Sequence, residues 1–231
     1  TIATNSGAGL TLSGGIGGAF NLVFNSIGDT SISGNVTTST GTLTKDGSGD
    51  LVLRGNNTYT GATTISAGTL RVDGTGVLGG GNYSGAISNS GRFNYASTTN
   101  QTLSGVISGT GNIVLNGAST LTLSGNNTYT GTTTINAGTL KAGSATGMSS
   151  LSTLNATGGV FDLNGFNATV AAVGVGNAAG TITNSASGSG TNTLTITNYN
   201  VNLASLITDG ATAKTAVTMN SAGANVLSNA N

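Results

Sequence analysis

Residues 51–72 read Leu51-Val-Leu-Arg-Gly-Asn-Asn-Thr-Tyr-Thr-Gly-Ala-Thr-Thr-Ile-Ser-Ala-Gly-Thr-Leu-Arg-Val72, and 70 residues later the chain returns to Leu121-Thr-Leu-Ser-Gly-Asn-Asn-Thr-Tyr-Thr-Gly-Thr-Thr-Thr-Ile-Asn-Ala-Gly-Thr-Leu-Lys-Ala142, identical at 16 of 22 positions. A repeated unit of this size cannot bury its own apolar face and must stack on neighbours. The expected architecture is therefore an elongated solenoid, with function resting on surface and shape.

Within the repeat, and around it, apolar residues come in short runs that alternate with Thr, Ser or Asn. Examples are Leu10-Thr-Leu12, Leu51-Val-Leu53, Leu121-Thr-Leu123 and Thr193-Leu-Thr-Ile196. A period of two marks half-buried strands. Glu is absent, Lys and Arg number six together, and 40 Gly interrupt almost every window that could hold three helical turns. Even Ala168-Thr-Val-Ala-Ala-Val173 reads as a strand rather than a helix.

Further strands are expected at Leu10 to Leu12, Phe20 to Phe24, Ile27 to Ile32 and Val36 to Leu43, then near Tyr83 to Ile87, Arg92 to Tyr95, Leu103 to Ile107 and Ile113 to Leu115. No Pro, charge run or linker divides them, so residues 1–231 read as a single continuous stack. Extended copies of the repeat span 43–72 and 113–142. A weaker, truncated copy at 217–231 aligns without gaps on 43–57, matching at Thr218, Gly223, Val226, Leu227 and Asn231. It stops where the other two continue with Thr-Tyr-Thr-Gly, as if the chain belonged to a longer solenoid or a neighbouring subunit completed the rung.

Thr and Asn suit a stack of parallel coils. Thr packs a methyl or chains its hydroxyl, and Asn can bond the Asn above it and tolerates the left-handed turn conformation. Gly61, Gly68, Gly131 and Gly138 are expected at corners. At about 20–25 residues per coil the chain makes roughly ten coils, with little or no α-helix. An antiparallel sandwich or barrel is the competing fold, but it would not normally keep a 70-residue copy with its turn residues in register.

Composition restricts the chemistry. Cys, His, Glu, Pro and Trp are absent, and the charged residues are Asp29, Asp46, Asp50, Asp73, Asp162, Asp209, Lys45, Lys141, Lys214, Arg54, Arg71 and Arg92, for a net charge of zero. Without a basic cluster, the electrostatic term that drives nucleic-acid binding is missing. No apolar run approaches a membrane span, and the start lacks the basic and apolar regions of a signal peptide.

No nucleophile and base pair and no soft metal site can be assembled, so neither catalytic nor cofactor-binding residues are expected. The dispersed Asp residues also argue against a polysaccharide-cleaving enzyme. Asp46-Gly-Ser-Gly-Asp50 is a weak calcium candidate, with carboxylates four residues apart but too few ligands; a solvated turn is the plainer reading, and a like turn carries Ser108 and Asn112 at the two positions. Gly15-Ile-Gly-Gly18 is a turn rather than a phosphate loop. Tyr59 and Tyr129 share one repeat position and are candidates for a surface contact, with the alternative that each covers the edge of a coil.

Leu121 to Leu140 closely resembles the passenger-associated repeat of bacterial autotransporter proteins, and Leu51 to Leu70 is a second good match. Segments such as Leu103-Ser-Gly-Val-Ile-Ser-Gly-Thr-Gly111, Thr42-Leu-Thr-Lys-Asp-Gly-Ser-Gly49 and Phe161-Asp-Leu-Asn-Gly-Phe-Asn167 are similar to stretches that surround this repeat. The resemblance implies a right-handed parallel β-helix, extracellular or on a bacterial cell surface, and it does not imply an enzyme. The outer-membrane β-barrel of a whole autotransporter has no counterpart after residue 200.

Taken with the repeat, these features lead to a non-catalytic extracellular structural solenoid acting as stalk, spacer or self-assembling surface fibre. Its expected partner is itself, end to end, or the continuation of a longer chain. The alternative is an adhesin of biofilm type that binds host or neighbouring-cell glycans or proteins through the long face of the rod.

Overall fold

A computed structural model describes residues 1–174, 180–198, 202–203, 206–219 and 226–227. The chain winds as a right-handed parallel β-solenoid of about nine turns with essentially no helix. The single helical element among the described residues is a three-residue 3-10 turn at Gly79–Gly81.

The spine is a nine-stranded sheet of Leu10–Leu12, Thr30–Ile32, Asp50–Leu53, Thr69–Gly74, Arg92–Ser97, Asn112–Leu115, Thr133–Ile135, Thr153–Ala156 and Ala172–Val173. A second sheet holds Leu22–Asn25, Leu43–Asp46, Thr63–Ile65, Ile87–Asn89 and Ile107–Ser108. A third holds seven strands from Asn82–Tyr83 to Leu206–Ile207, among them Gln101–Leu103, Thr120–Leu123, Thr139–Ala142, Val160–Asp162 and Thr181–Thr183. Ala168–Val170, Thr191–Ile196 and Lys214–Met219 form a further parallel sheet at the far end.

The sequence pattern becomes a core because a strand buries every second side chain. Along the spine one inner column stacks Leu51, Leu70, Phe93 and Ile113 in direct register, and its neighbour stacks Leu53, Val72, Tyr95, Leu115 and Ile135. All nine are buried. With coils about 4.8 Å apart, nine spine strands extend the rod over about 40 Å.

The corners correct four strand assignments. Leu103 to Ile107 is two strands, Gln101–Leu103 and Ile107–Ser108, on different faces, and so is Tyr83 to Ile87, which divides into Asn82–Tyr83 and Ile87–Asn89. Ala168 to Val173 likewise divides at Ala171 between the far sheet and the spine. Val36 to Leu43 contains a corner at 38–42, between Val36–Thr37 and Leu43–Asp46. An alternating pattern passes through a one-residue or few-residue corner without losing its phase, so period alone does not reveal the bend.

Glycine makes the corners possible. A Cβ at Gly61 would lie 2.3 Å from the carbonyl oxygen of Gly41 in the coil below, and one at Gly131 would lie 2.1 Å from that of Gly111. Gly68 and Gly138 turn with φ of 66° and 68°, a backbone that side chains disfavour.

The two repeat copies do not sit above one another. From Leu51, three steps of register through Leu70 and Phe93 reach Ile113, which is 62 residues on. A spacing of 70 therefore overshoots by eight residues, or one face. Residues 50–53 and 69–72 lie in the spine, whereas their equivalents 120–123 and 139–142 lie in the third sheet. Like does not stack on like here; each copy meets different neighbours.

Of the truncated copy at 217–231, residues 220–225 and 228–231 lie outside the described residues, and its likeness to 43–57 rests on sequence.

Candidate functional site

The Asn-Asn-Thr-Tyr-Thr-Gly corner is where the repeat concentrates its polar side chains, and both copies place them alike. The first Asn of each pair, Asn56 and Asn126, is exposed; the second, Asn57 and Asn127, is buried. Asn57 Oδ1 accepts the backbone N–H of Val36 from the coil below at 2.9 Å, and its Nδ2 donates to Val77 O in the coil above at 3.0 Å. Asn127 repeats this, accepting from Ile107 N at 2.7 Å and donating to Gly147 O at 2.7 Å. One amide thus joins three successive coils where the corner interrupts the backbone ladder.

Tyr59 and Tyr129 are wholly buried, which corrects their reading as surface contacts. Strand alternation carries them inward: counting by twos from each buried Asn arrives at the Tyr. Tyr59 Oη lies 3.0 Å from Thr63 Oγ1, and Tyr129 Oη lies 2.8 Å from Thr133 Oγ1. In the first copy Thr63 also meets Tyr83 Oη at 2.7 Å, Tyr83 donates to Gly61 O, and the Tyr59 and Tyr83 rings pack edge to face at 5.5 Å. In the second copy Tyr129 instead points to Met148 Sδ at 3.9 Å.

Burial pushes the phenol of Tyr59 well above the usual tyrosine range, with the neighbouring Tyr83 adding to it, and takes Tyr83 up to about 12. Such groups stay protonated and are structural donors, not acids poised for proton transfer.

The turn proposed for calcium holds a different cation. Lys45 is fully buried in an inner column between Phe24 and Ile65. Its ammonium donates to Gly47 O at 2.7 Å, Asp46 O at 3.3 Å and Ala67 O at 3.4 Å. Burial lowers its pKa, opposed by the charges of Asp50, Asp46 and Asp29. Asp50, for its part, donates its backbone N–H to Asp29 Oδ1 at 2.9 Å. Among the described residues no group of three or more acidic, His or Cys side chains could hold a metal ion.

The other charges sit on the outer faces, with Asp162 buried among its partners there. Asp73 takes Arg54 at 2.9 Å and Arg71 at 3.0 Å; partial burial raises its pKa, but the hydrogen bond and charge of Arg71 outweigh that and hold it below the usual range. Higher on the same face an amide and hydroxyl ladder takes over, from Thr157 Oγ1 to Asn136, Asn136 Nδ2 to Asn116 and Asn116 Nδ2 to Asn94, at 2.6, 2.7 and 3.0 Å. Lys141 lies 3.6 Å from Asp162, whose carboxylate also accepts from the N–H groups of Asn164 and Ser185. Apart from Arg71–Asp73 within one strand and the Asn164 N–H within one turn, these are staples between coils. The role of the second Asn was readable in the motif only through the inward phase of the strand, and sequence reasoning gave that position no role.

Residues 43–72 and 113–142 each match the family described as passenger-associated-transport-repeat. No curated protein and no solved structure gave a significant match. The family implies a secreted or surface-displayed protein, and neither the repeat nor the fold is typical of enzymes. Among the described residues no helix is long and apolar enough to cross a membrane. The chain is a β-solenoid carrying two passenger-associated-transport-repeats, consistent with the β-helix of an autotransporter passenger.

Proposed function

We propose that this solenoid is a non-catalytic structural module of the bacterial cell surface, serving as a stalk or spacer and able to extend end to end into a fibre. The observation that carries this reading is the inward aim of the repeat. Both copies spend their shared Asn on joining coil to coil and their shared Tyr and Thr on a bond inside the core, which builds a rod and leaves no shared side-chain cluster facing solvent among the described residues other than Asn56 and Asn126 with the flanking Thr.

Apolar side chains in the outermost described coils suit stacking by a further coil, of the same chain or of another copy. At the first coils Ile2, Leu12 and Ile16 pack on the core yet stay half-buried, and so do Ile207, Val217 and Met219 at the last. Ile27 and Phe20, in the first coils, are 57% and 45% exposed. Apolar side chains and open strand edges of this kind are covered when another coil stacks on them.

Electron microscopy and light scattering across a concentration series test this. Rods that lengthen in multiples of one solenoid support extension. Dispersed rods of constant length at the highest soluble concentration remove the fibre and leave the spacer, and a compact particle without an elongated shape removes both.

A further inference from the structure

The two repeat copies part company just after their shared residues, and the second leaves a groove. In the first copy Val77–Leu78 pairs in register with Asn56–Asn57, and the Gly79–Gly81 turn folds back so closely that a Cβ on Gly80 would lie 3.9 Å from Asn56 Oδ1. In the second copy the equivalent residues are Gly147 and Met148, followed by Ser149, Ser150 and Leu151 in place of three glycines. They form no strand, and the second sheet, which ends at Ile107–Ser108, is not resumed on that side until Ala168–Val170. A groove of about 220 Å³ opens across the interruption.

Its lining has a definite chemistry. Asn126, Thr128, Ser150 and Thr169 line the groove, with Met148 among the lining residues. None of these four polar side chains has a hydrogen-bond partner among the described residues. Asn126, Thr128 and Ser150 are exposed. No lining side chain is charged. Two of the few exposed large apolar residues belong to the same neighbourhood: Leu151, 56% exposed, follows Ser150, and Val106, 42% exposed, precedes Ile107, whose N–H is held by Asn127.

We propose that this groove binds one ring of a neutral sugar. An amide and three hydroxyls each offer both donor and acceptor capacity, matching vicinal sugar hydroxyls that do the same. The absence of charge in the lining disfavours an acidic or basic ligand, which would lose its water without gaining an ion pair. The flanking Leu151 and Val106 suit the apolar edge of a pyranose. The volume holds a single ring and not a long chain, so a polymer would cross the groove and seat one unit in it.

Nuclear magnetic resonance titration of the 231-residue protein tests the assignment, with methyl glucoside, methyl galactoside and N-acetylglucosamine as probes. Saturable shifts are expected for at least one of them at residues 126–128, 145–151 and 168–170, with a Kd in the millimolar range usual for a small ligand held by a few solvent-competing hydrogen bonds. Asn126→Ala with Thr128→Val should weaken binding at least about tenfold, and Thr58→Val in the first copy should leave it unchanged. Ser150→Tyr, on an exposed turn, fills the groove by bulk and should abolish binding even if the double variant is poorly folded. No saturable shift with any probe overturns the proposal, as does binding that survives Ser150→Tyr or falls equally with Thr58→Val.

Discussion

The copies at 43–72 and 113–142 share their sequence, their inward Asn and their Tyr to Thr bond, yet they occupy different faces of the rod and meet different neighbours. Asn57 bridges Val36 and Val77; Asn127 bridges Ile107 and Gly147. The partners are backbone groups in both cases, so the identity of the neighbouring residue hardly matters. A motif that bonds to backbone above and below can be placed on any face and at any height. That is how a 70-residue spacing, which does not fit a whole number of coils, is tolerated. Where the copies differ is in what they bond by side chain: Thr63 is shared by two phenols, Thr133 by one.

The largest effects should come from the corner glycines. Gly61→Ala and Gly131→Ala each drive a methyl against a backbone carbonyl in the coil below, closer than a Cβ can approach without a backbone shift. A loss of about 3 kcal/mol is expected from each. Denaturant unfolding checks it, and a mild effect at Gly131 alone would mean that the two corners are not equivalent.

Next come the bridging amides. Asn57→Ala and Asn127→Ala leave a buried N–H below and a carbonyl above without partners, at a cost of about 2–3 kcal/mol each. Equal losses in the two variants would confirm that backbone bridging is independent of face. If Asn127→Ala costs less than half as much as Asn57→Ala, the groove beside it admits water that takes over the amide's bonds.

Thr63→Val and Thr133→Val separate the copies. The first leaves Tyr59 and Tyr83 without their shared hydroxyl and should cost about 2 kcal/mol, while the second affects Tyr129 alone and should cost about 1 kcal/mol. The phenols also set the alkaline limit. Their folded pKa values lie above the ordinary 10.0, so the folded state holds protons that the unfolded chain releases, and stability should fall as pH rises from 10 towards 12. A pH series of melting temperatures that stays flat across this window would show that the phenols reach solvent.

Much of this was legible in the residues. Alternation in Leu51-Val-Leu53 and Leu121-Thr-Leu123 fixed which side chains face inward, and the 70-residue copy excluded a fold without repeats. The corner glycines were legible too, because few other residues tolerate those approaches. The sheet on which each copy lies was not, since it depends on the summed lengths of three coils, and the extra residues of the 73–91 segment change that sum. For Tyr59 and Tyr129 the residues alone left a surface contact beside the preferred reading that each covers the edge of a coil; only the phase from Asn57 to Tyr59 shows the ring pointing into the core. Lys45 was read only as a charge beside Asp46, although its position two residues after Leu43 places it in the inner column.

Lys45 is also the sharpest difference between the copies at an equivalent position, for 70 residues on stands Leu115, equally buried. Lys45→Met keeps the volume and removes the charge. A buried ion exchanged for an apolar side chain is often neutral or stabilising, here offset by three carbonyls that lose a donor, so the net change at neutral pH should stay within about 1 kcal/mol. The pH dependence is more telling. Because burial lowers the folded pKa below the ordinary 10.5, the unfolded chain binds a proton that the folded one has released between those two values. The Lys45 contribution to stability therefore rises with pH through that window and is constant below it. It opposes the loss from the phenols, so Lys45→Met should make alkaline unfolding begin at lower pH than in the parent protein. An onset that does not move would mean that the three carbonyls hold the ammonium charged in the folded state as firmly as water does in the unfolded one.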